Sequence, residues 1–485
     1  MKFEKPKEAV KVSINFDDIE TRIRRIANFN GSGIEFDRED GTFYFSSGDG
    51  VFKADYNGEN VRRVTGPGAW SLTEDQKTMV VVQGGRVALV NLKAPGYPMT
   101  PVSFRADYVR DLTKTRQAAF AQFWRGFNNG FYDPNFHGRD WKALGEKYRK
   151  FLPSVSHRSE MSTILFMMVG ELEASHSEVS PGPGGNRSQS SSHLGFSFDY
   201  SYAGPGIKIK EVPKRTPGSY AKSKLNPGEI VTKVNGKDVS LNESLYRDVL
   251  NDQVGREVTL SVKGTDGKSR DVKYRAITQG EYAGIVNGNR LEQNRKMVEA
   301  KSNQQLTYVH IAGMDGGSLD RFNQQVWQYA KGKKGLIIDV RGNGGGNTAD
   351  RIIDILERKQ NMNYTPRDES VFSGPGQVLD MPIVVMMDET SFSNAEMFPE
   401  AMRTRKLAKL VGRPTSGYVI YTYGLPLVDG TGARMPSTGV WRVDGRSMEN
   451  DGVKPDFDVK ISVEQFLAGE DPQLEKAIEV LLKGK

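Results

Sequence analysis

Apolar and polar positions change their period several times along the chain, and each change marks a segment. Up to about residue 105 the period is two. Thr42 to Asp55, TFYFSSGDGVFKAD, predicts a strand, a turn and a strand, and Thr78 to Leu92, TMVVVQGGRVALVNL, repeats that pattern. Trp70 and the run SLTEDQKT lead into the second unit as a first strand and turn. The interval is close to that of a propeller blade, and two such units do not close a ring. From 106 to 179 the period becomes helical. Tyr108 to Phe127 and Asp140 to Lys150 have helical spacing, with Phe120, Phe123, Trp124 and Phe127 on one core-facing stripe, and a third helix is expected from about Glu160 to Leu172. Residues 180–192, SPGPGGNRSQSSS, form a flexible linker.

Beyond the linker two further segments follow. In 193–276, Leu225 to Ser240 reads as strand, turn and strand, and Asn242 to Leu250 as a helix. In 277–485, apolar strands at Leu306 to Ala312, Leu336 to Val340, Pro382 to Met387 and Leu407 to Val411 alternate with helices at Leu319 to Tyr329, Thr348 to Leu356 and Asn394 to Arg405. That alternation predicts a sheet covered on both faces, closed by a last amphipathic helix from Asp471 to Leu482. The fold class expected is a multidomain α+β chain of β-rich, helical, small β and α/β parts.

Composition narrows the function classes. The 485 residues leave room for three or four domains, with 26% charged and 9% aromatic positions. There is no cysteine, so disulfide and thiolate chemistry are excluded. The formal charge of +7 is spread along the chain without aromatic–basic interleaving, apart from short clusters such as Lys331 to Lys334. It reads as solubility, and no nucleic-acid partner is expected. No apolar run approaches a bilayer span, and MKFEKPKEAVKV lacks the apolar core of a secretory signal. A cytoplasmic protein with no membrane partner is expected. No HExxH pattern or His/Asp cluster is present, so neither metal nor cofactor is expected.

The chemistry concentrates in Met381 to Gly417, MPIVVMMDETSFSNAEMFPEAMRTRKLAKLVGRPTSG. Ser393 falls where strand gives way to helix, beside unpaired backbone N–H groups and the positive end of the helix dipole. A serine there can attack a carbonyl while the Asn394 N–H receives the oxyanion. The plainer alternative is that Ser393 only caps the helix, with Glu396 completing a capping box. Pro399 should kink that helix or mark its first turns. Upstream, Gly335 to Asn347, GLIIDVRGNGGGN, runs a strand into a glycine cluster whose N–H groups a ligand can approach closely. A phosphate loop is excluded because no Gly-Lys-Ser/Thr follows.

The combination of DVRGNGGG, S-x-S-N-A-E and GRPTSG resembles the catalytic domain of tail-specific and tricorn-type serine proteases, a crotonase-like α/β fold. The resemblance makes Ser393 the nucleophile and gives the second oxyanion N–H to the glycine run, at Gly346 in preference to Gly345. HLGF, at His193 to Phe196, is similar to the carboxylate-binding loop of a PDZ domain, which implies a nest at Leu194, Gly195 and Phe196 for a peptide terminus. A PDZ fold serving only as a spacer is the alternative. Tricorn-type enzymes carry propellers and a small helical domain ahead of these parts, which favours a partial propeller for 1–105.

The base separates two serine chemistries. Tail-specific proteases place a lysine after a run resembling G-x-x-T-x-G, and here Tyr418 stands in that place. With a reference pKa near 10, tyrosine is a poor base. The tricorn-type arrangement instead implies a Ser-His pair at the end of the helical domain, here Ser175 and His176. Read alone, His176 is a helix C-terminal residue. The run SMENDGVKPDFDV resembles the family's E-N-x-G-V-x-P-D and supplies Glu449, otherwise an exposed loop carboxylate. In the implied tetrad His176 is general base and acid, and Ser175 and Glu449 orient it. Of the other histidines, His137 reads as structural, His157 and His193 as solvated beside loops, and His310 as buried packing or support. The resemblance further implies peptide substrates, a homo-oligomeric ring of six, and preference for basic side chains through Asp368 or Glu369. A peptide-binding scaffold without turnover is the competing reading, and a polyanion binder, suggested by charge alone, is a third.

Overall fold

The computed structural model describes residues 13–16, 31–105, 107, 109–182, 190–242, 244–367 and 370–483. They fall into two compact units, 1–110 and 111–485.

In the first unit, β1 (Ser32–Phe36), β2 (Thr42–Ser47), β3 (Gly50–Asp55) and β4 (Arg62–Thr65) form one antiparallel sheet in chain order. The second sheet repeats it with β5 (Ala69–Leu72), β6 (Thr78–Gln83), β7 (Arg86–Asn91) and β8 (Met99–Pro101). The two hairpins expected from the sequence are the middle pairs. Tyr44, Val51, Met79, Val81 and Val90 bury the alternating apolar positions in one core.

The second unit opens with α1 (Leu112–Gly130), α2 (Trp141–Arg149) and α3 (Arg158–Gly170). The first helix begins at Leu112 rather than Tyr108, because the Asp111 side chain accepts the Lys114 N–H at 3.0 Å and caps it there; Tyr108 lies outside the described residues. Phe120, Phe123 and Phe127 are fully buried, as the stripe predicts. The short β9 (Val179–Ser180) follows.

Next, β10 (Ser192–His193) pairs with β17 (Ile277–Thr278) and brackets a six-stranded sheet of β11 (Ser197–Phe198), β12 (Ile207–Glu211), β13 (Ile230–Val234), β14 (Lys237–Asp238), β15 (Glu257–Lys263) and β16 (Ser269–Arg275). The helix expected over Asn242 to Leu250 is a single π turn, Leu245–Leu250. His193 is not a solvated loop residue: its ring stacks on Tyr282 with centroids 3.6 Å apart, and burial pushes its pKa down to about 4.

A 23-residue helix, α4 (Gln279–Lys301), leads into the central sheet. Its five strands are all parallel, in the order β18 (Leu306–His310), β19 (Gly335–Asp339), β22 (Ile383–Met387), β23 (Ala408–Gly412) and β26 (Phe457–Asp458). Between them lie α5 (Gly316–Tyr329), α6 (Ala349–Leu356), the hairpin β20 (Met362–Tyr364) and β21 (Phe372–Gly374), and α7 (Asn394–Thr404). Pro399 sits in the second turn of α7, which continues through it. One face of the sheet packs on α5, α6 and α7. The other packs on α4 and α9 (Pro472–Lys483), with α8 (Val463–Ala468) just before the latter. Both faces are covered, so β19 and β22 are buried at every position. The hairpin β24 (Ile420–Pro426) and β25 (Gly432–Gly439) leaves this sheet to pair with β9 and pack Leu427, Ala433 and Met435 into the helical core. That strap brings the end of the helical segment to the end of the chain's chemistry. Among the described residues, no helix is long and apolar enough to cross a membrane.

Candidate active site

Ser393 stands between β22 and α7 with φ 56° and ψ −119°, a conformation costly for a residue with a side chain. Among the bonds that hold the turn are Phe392 N–H to the Asn343 carbonyl at 3.0 Å, Ser391 Oγ to the Val340 carbonyl at 3.0 Å, and Ser393 N–H to Glu396 Oε1 at 3.1 Å. The glycine run lies directly against it. A Cβ on Gly345 would come within 2.7 Å of Ser393 Cβ, and one on Gly346 within 2.0 Å of the Met314 carbonyl oxygen.

The backbone donors divide unequally. Gly345 N–H is spent on Asn343 Oδ1 at 2.9 Å. Gly346 bridges Met314 through its neighbours: Met314 N–H donates to the Gly345 carbonyl at 2.9 Å and Asn347 N–H to the Met314 carbonyl at 2.7 Å. The Gly346 N–H therefore points away from that bridge. Among the described residues neither it nor the Asn394 N–H, the first of α7, meets an acceptor. The Asn394 side chain is engaged elsewhere, its Oδ1 accepting from Ala349 N–H at 2.9 Å at the start of α6.

Ser175 and His176 lie beyond α3, in the turn before β9. Glu449 is buried at 6% exposure, not an exposed loop carboxylate. Its Oε1 accepts from Ser175 N–H at 2.7 Å, and its Oε2 from Ser175 Oγ at 2.9 Å and Val419 N–H at 2.8 Å. His176 takes φ 54°, and its Nε2 is buried without a hydrogen-bond partner among the described residues. The Ser393–His176 bond is thus not formed here. Burial lowers the His176 pKa, helped by Arg434, while Glu178, Glu449 and the Tyr418 backbone pull the other way.

Glu396 does more than complete a capping box. Fully buried, it accepts from Thr415 Oγ1 at 2.5 Å, Gly417 N–H at 2.7 Å and Tyr418 N–H at 2.8 Å as well as from Ser393. Burial raises its pKa against those four donors. It ties the Ser393 turn to the segment 415–419, which also carries the Val419 N–H. The Tyr418 ring stacks on Phe392 with centroids 5.6 Å apart, a packing role. Neither the Glu396 network nor the two backbone contacts at 418 and 419 was read from the sequence. GRPTSG was the available signal for the first, while backbone contacts leave none.

The remaining residues sit apart from this constellation. Leu194 and Phe196 are core side chains, and the Gly195 N–H is taken by His193 Nδ1 at 2.9 Å. His310 faces the Arg341 carbonyl at 3.1 Å, and His137 bridges Tyr132 and the Leu172 carbonyl. His157 caps α3. Burial opposes the charge on Asp339, but Arg341 beside it holds that carboxyl at about 2, and the same guanidinium reaches Asp471 at 2.8 Å, anchoring the glycine run to α9. Asp368 and Glu369 lie outside the described residues.

Residues 305–459, which contain the glycine run, Ser393 and Glu449, match Peptidase family S41. That match, with the relatives below, indicates a serine-type peptidase. Residues 112–170 match the Tricorn protease C1 domain, so two separate segments of the chain are similar to tricorn-type proteases. It is 25% identical over 424 residues to the tricorn protease of Thermoplasma acidophilum, covering 85% of this chain and 39% of that protein. It is 28% identical over 360 residues to a tricorn protease homolog of Saccharolobus solfataricus, covering 71% of this chain and 33% of that protein. The crystal structure of the tricorn protease shares the fold, with a TM-score of 0.75 at 23% identity over 91% of this chain and 43% of the other. The chain thus spans no more than two fifths of the length of these curated relatives.

Proposed function

We propose that the chain is an endopeptidase that hydrolyses peptides through an acyl-enzyme, with Ser393, His176, Ser175 and Glu449 as a tetrad drawn from two domains. The observation that carries this is the buried Glu449 carboxylate, bonded to Ser175 across 274 residues of sequence. A buried carboxylate needs a reason and a partner; Ser175 is the partner, and the carboxylate's charge favours the protonated His176 ring. Ser393 Oγ attacks the peptide carbonyl as His176 Nε2 takes its proton; the C–O bond forms and charge moves to the oxyanion, facing the Gly346 and Asn394 N–H groups. His176 returns the proton to the leaving amine as the C–N bond breaks, and water then releases the acyl group by the same route. Glu449, through Ser175 and its charge, stabilises the imidazolium.

The same reading divides the chain at 105, 179, 192 and 276 into a partial propeller, the helical domain, the linker, a PDZ domain and a crotonase-like domain. It assigns peptide substrates, a ring of six copies, a peptide-terminus nest at Leu194 to Phe196, and basic specificity through Asp368 or Glu369. A second reading rests on the unpartnered His176 Nε2: the Ser–His bond closes only on assembly. Labelling by a serine-reactive fluorophosphonate tests both. Wild type labelled, with Ser393→Ala and His176→Ala unlabelled, is expected. Labelling of wild type only in the oligomer selects the second reading. Undiminished labelling of Ser393→Ala would overturn the tetrad.

A further inference from the structure

The segment 447–452 carries Glu449 and has no regular secondary structure of its own. Its N–H groups and one amide side chain look inward. Met448 N–H donates to the Val440 carbonyl at 3.0 Å, Asn450 N–H to the Gly417 carbonyl at 2.8 Å, and Asn450 Nδ2 to the Glu173 carbonyl at 2.9 Å. Its outer carbonyls are collected by one side chain, Arg442, just beyond β25. Arg442 Nη1 donates to the Ser447 carbonyl at 2.8 Å and to Asp451 Oδ2 at 2.8 Å, and Nη2 donates to the Gly452 carbonyl. The backbone acceptors flank Glu449 on both sides. The third arm of the guanidinium turns toward α7: Nε faces Glu400 at 3.6 Å and has no hydrogen-bond partner among the described residues. The side chain is only 5% exposed.

We propose that Arg442 is a positioning residue for the reaction: it clamps both ends of the Glu449 segment and registers it against the helix that begins at Ser393. This rests on the peptidase reading above. Arg442 touches none of the tetrad; it acts through Glu449. The chemistry demands arginine. A planar fork with five donors reaches two carbonyls and a carboxylate at once, and a lysine ammonium on a flexible stem does not reproduce that geometry. Removing the clamp strands the Ser447 and Gly452 carbonyls, frees the exposed Asp451 carboxylate to solvent, and lets Glu449 drift from Ser175 N–H and Val419 N–H. A misplacement of about 1 Å costs on the order of a hundredfold in rate.

The test is a double-mutant cycle on the full chain: wild type, Arg442→Gln, Glu449→Gln and the pair, read by fluorophosphonate labelling rate and by kcat and KM on a peptide p-nitroanilide. Arg442→Gln is expected to lose about ten- to a hundredfold in labelling rate and kcat with KM unchanged. The double variant is expected to be no slower than Glu449→Gln alone, because the clamp has nothing left to position. Arg442→Lys is expected to stay near Arg442→Gln. Losses that multiply in the double variant, or wild-type rates in Arg442→Gln, would overturn the proposal. If Arg442→Gln does not fold, Asp451→Asn removes one arm, and the same non-additivity with Glu449→Gln decides. A labelled wild type with an additive cycle sinks the clamp alone; an unlabelled wild-type oligomer sinks the peptidase reading and the clamp with it.

Discussion

Replacing Gly345 by alanine presses on Ser393, the proposed nucleophile. The added Cβ would lie 2.7 Å from Ser393 Cβ, 2.7 Å from the Phe392 carbonyl oxygen and 3.1 Å from the Asn394 nitrogen. Carbon atoms in contact sit about 3.5–4.0 Å apart, so the overlap with Ser393 is about 1 Å. The glycine side yields little, because Gly345 N–H is bonded to Asn343 and its carbonyl accepts from Met314. Gly345 also takes φ +91°, where a side chain costs about 1–2 kcal/mol. Overpacking adds about 1–3 kcal/mol, so a total loss of about 2–5 kcal/mol is expected in a urea titration. In the molecules that remain folded Ser393 is displaced by up to about 1 Å, which corresponds to roughly a hundredfold in rate. The assay is the fluorophosphonate labelling rate below the unfolding transition, beside the urea midpoint. Gly345→Ala labelled at the wild-type rate with an unchanged midpoint would refute the placement of the glycine run against Ser393.

Other perturbations separate backbone from side-chain roles. Asn394→Ala keeps the proposed oxyanion N–H and loses the bond to Ala349, so about 1 kcal/mol of stability should go with labelling retained; lost labelling in a folded variant would move the role to the side chain. Tyr418→Phe should label like wild type, since its contacts are the ring and backbone; a large loss would make the phenol the base. The depressed His176 pKa keeps the ring neutral below the usual 6.5, so the acid limb of kcat/KM should fall below pH 6.5. An inflection above it would contradict the burial of that ring. Glu449→Gln turns an amide N–H toward either Ser175 N–H or Val419 N–H, leaving one buried donor unpaired at a cost of about 1–3 kcal/mol; an unchanged urea midpoint would contradict that network.

Much of this molecule was legible where burial writes a simple pattern. Strands β19 and β22 are buried on both faces and read as apolar runs, and the glycine and serine motifs stand at their ends. The long α4 was not legible: Gly280, Gly284 and Gly288 fall within it, and Asn294 and Val298 are its buried residues. Its polar sequence carries no apolar stripe to betray a helix. Two-residue strands such as β9 are set by what they pair with, not by their own composition. At the site, Ser393, His176, Ser175 and Glu449 were named from motif and resemblance. The Tyr418 and Val419 contacts were not, because any residue offers the same peptide groups. Arg442 escaped for another reason. Its meaning lies in which carbonyls it reaches, and charge counting along a sequence is blind to that.

The reach of Glu449 to Ser175 also sets a clock on biosynthesis. A ribosome adding about 5–20 residues per second needs roughly 14–55 s to travel the 274 residues between them. Through that interval the nascent helical segment holds its histidine with no carboxylate behind it, and β9 waits for β25. Ser393 emerges into a chain whose acid has not yet been translated. On the proposed tetrad, the order of the genetic message keeps the cutting edge blunt while the growing polypeptide, itself a peptide within reach, is still being made.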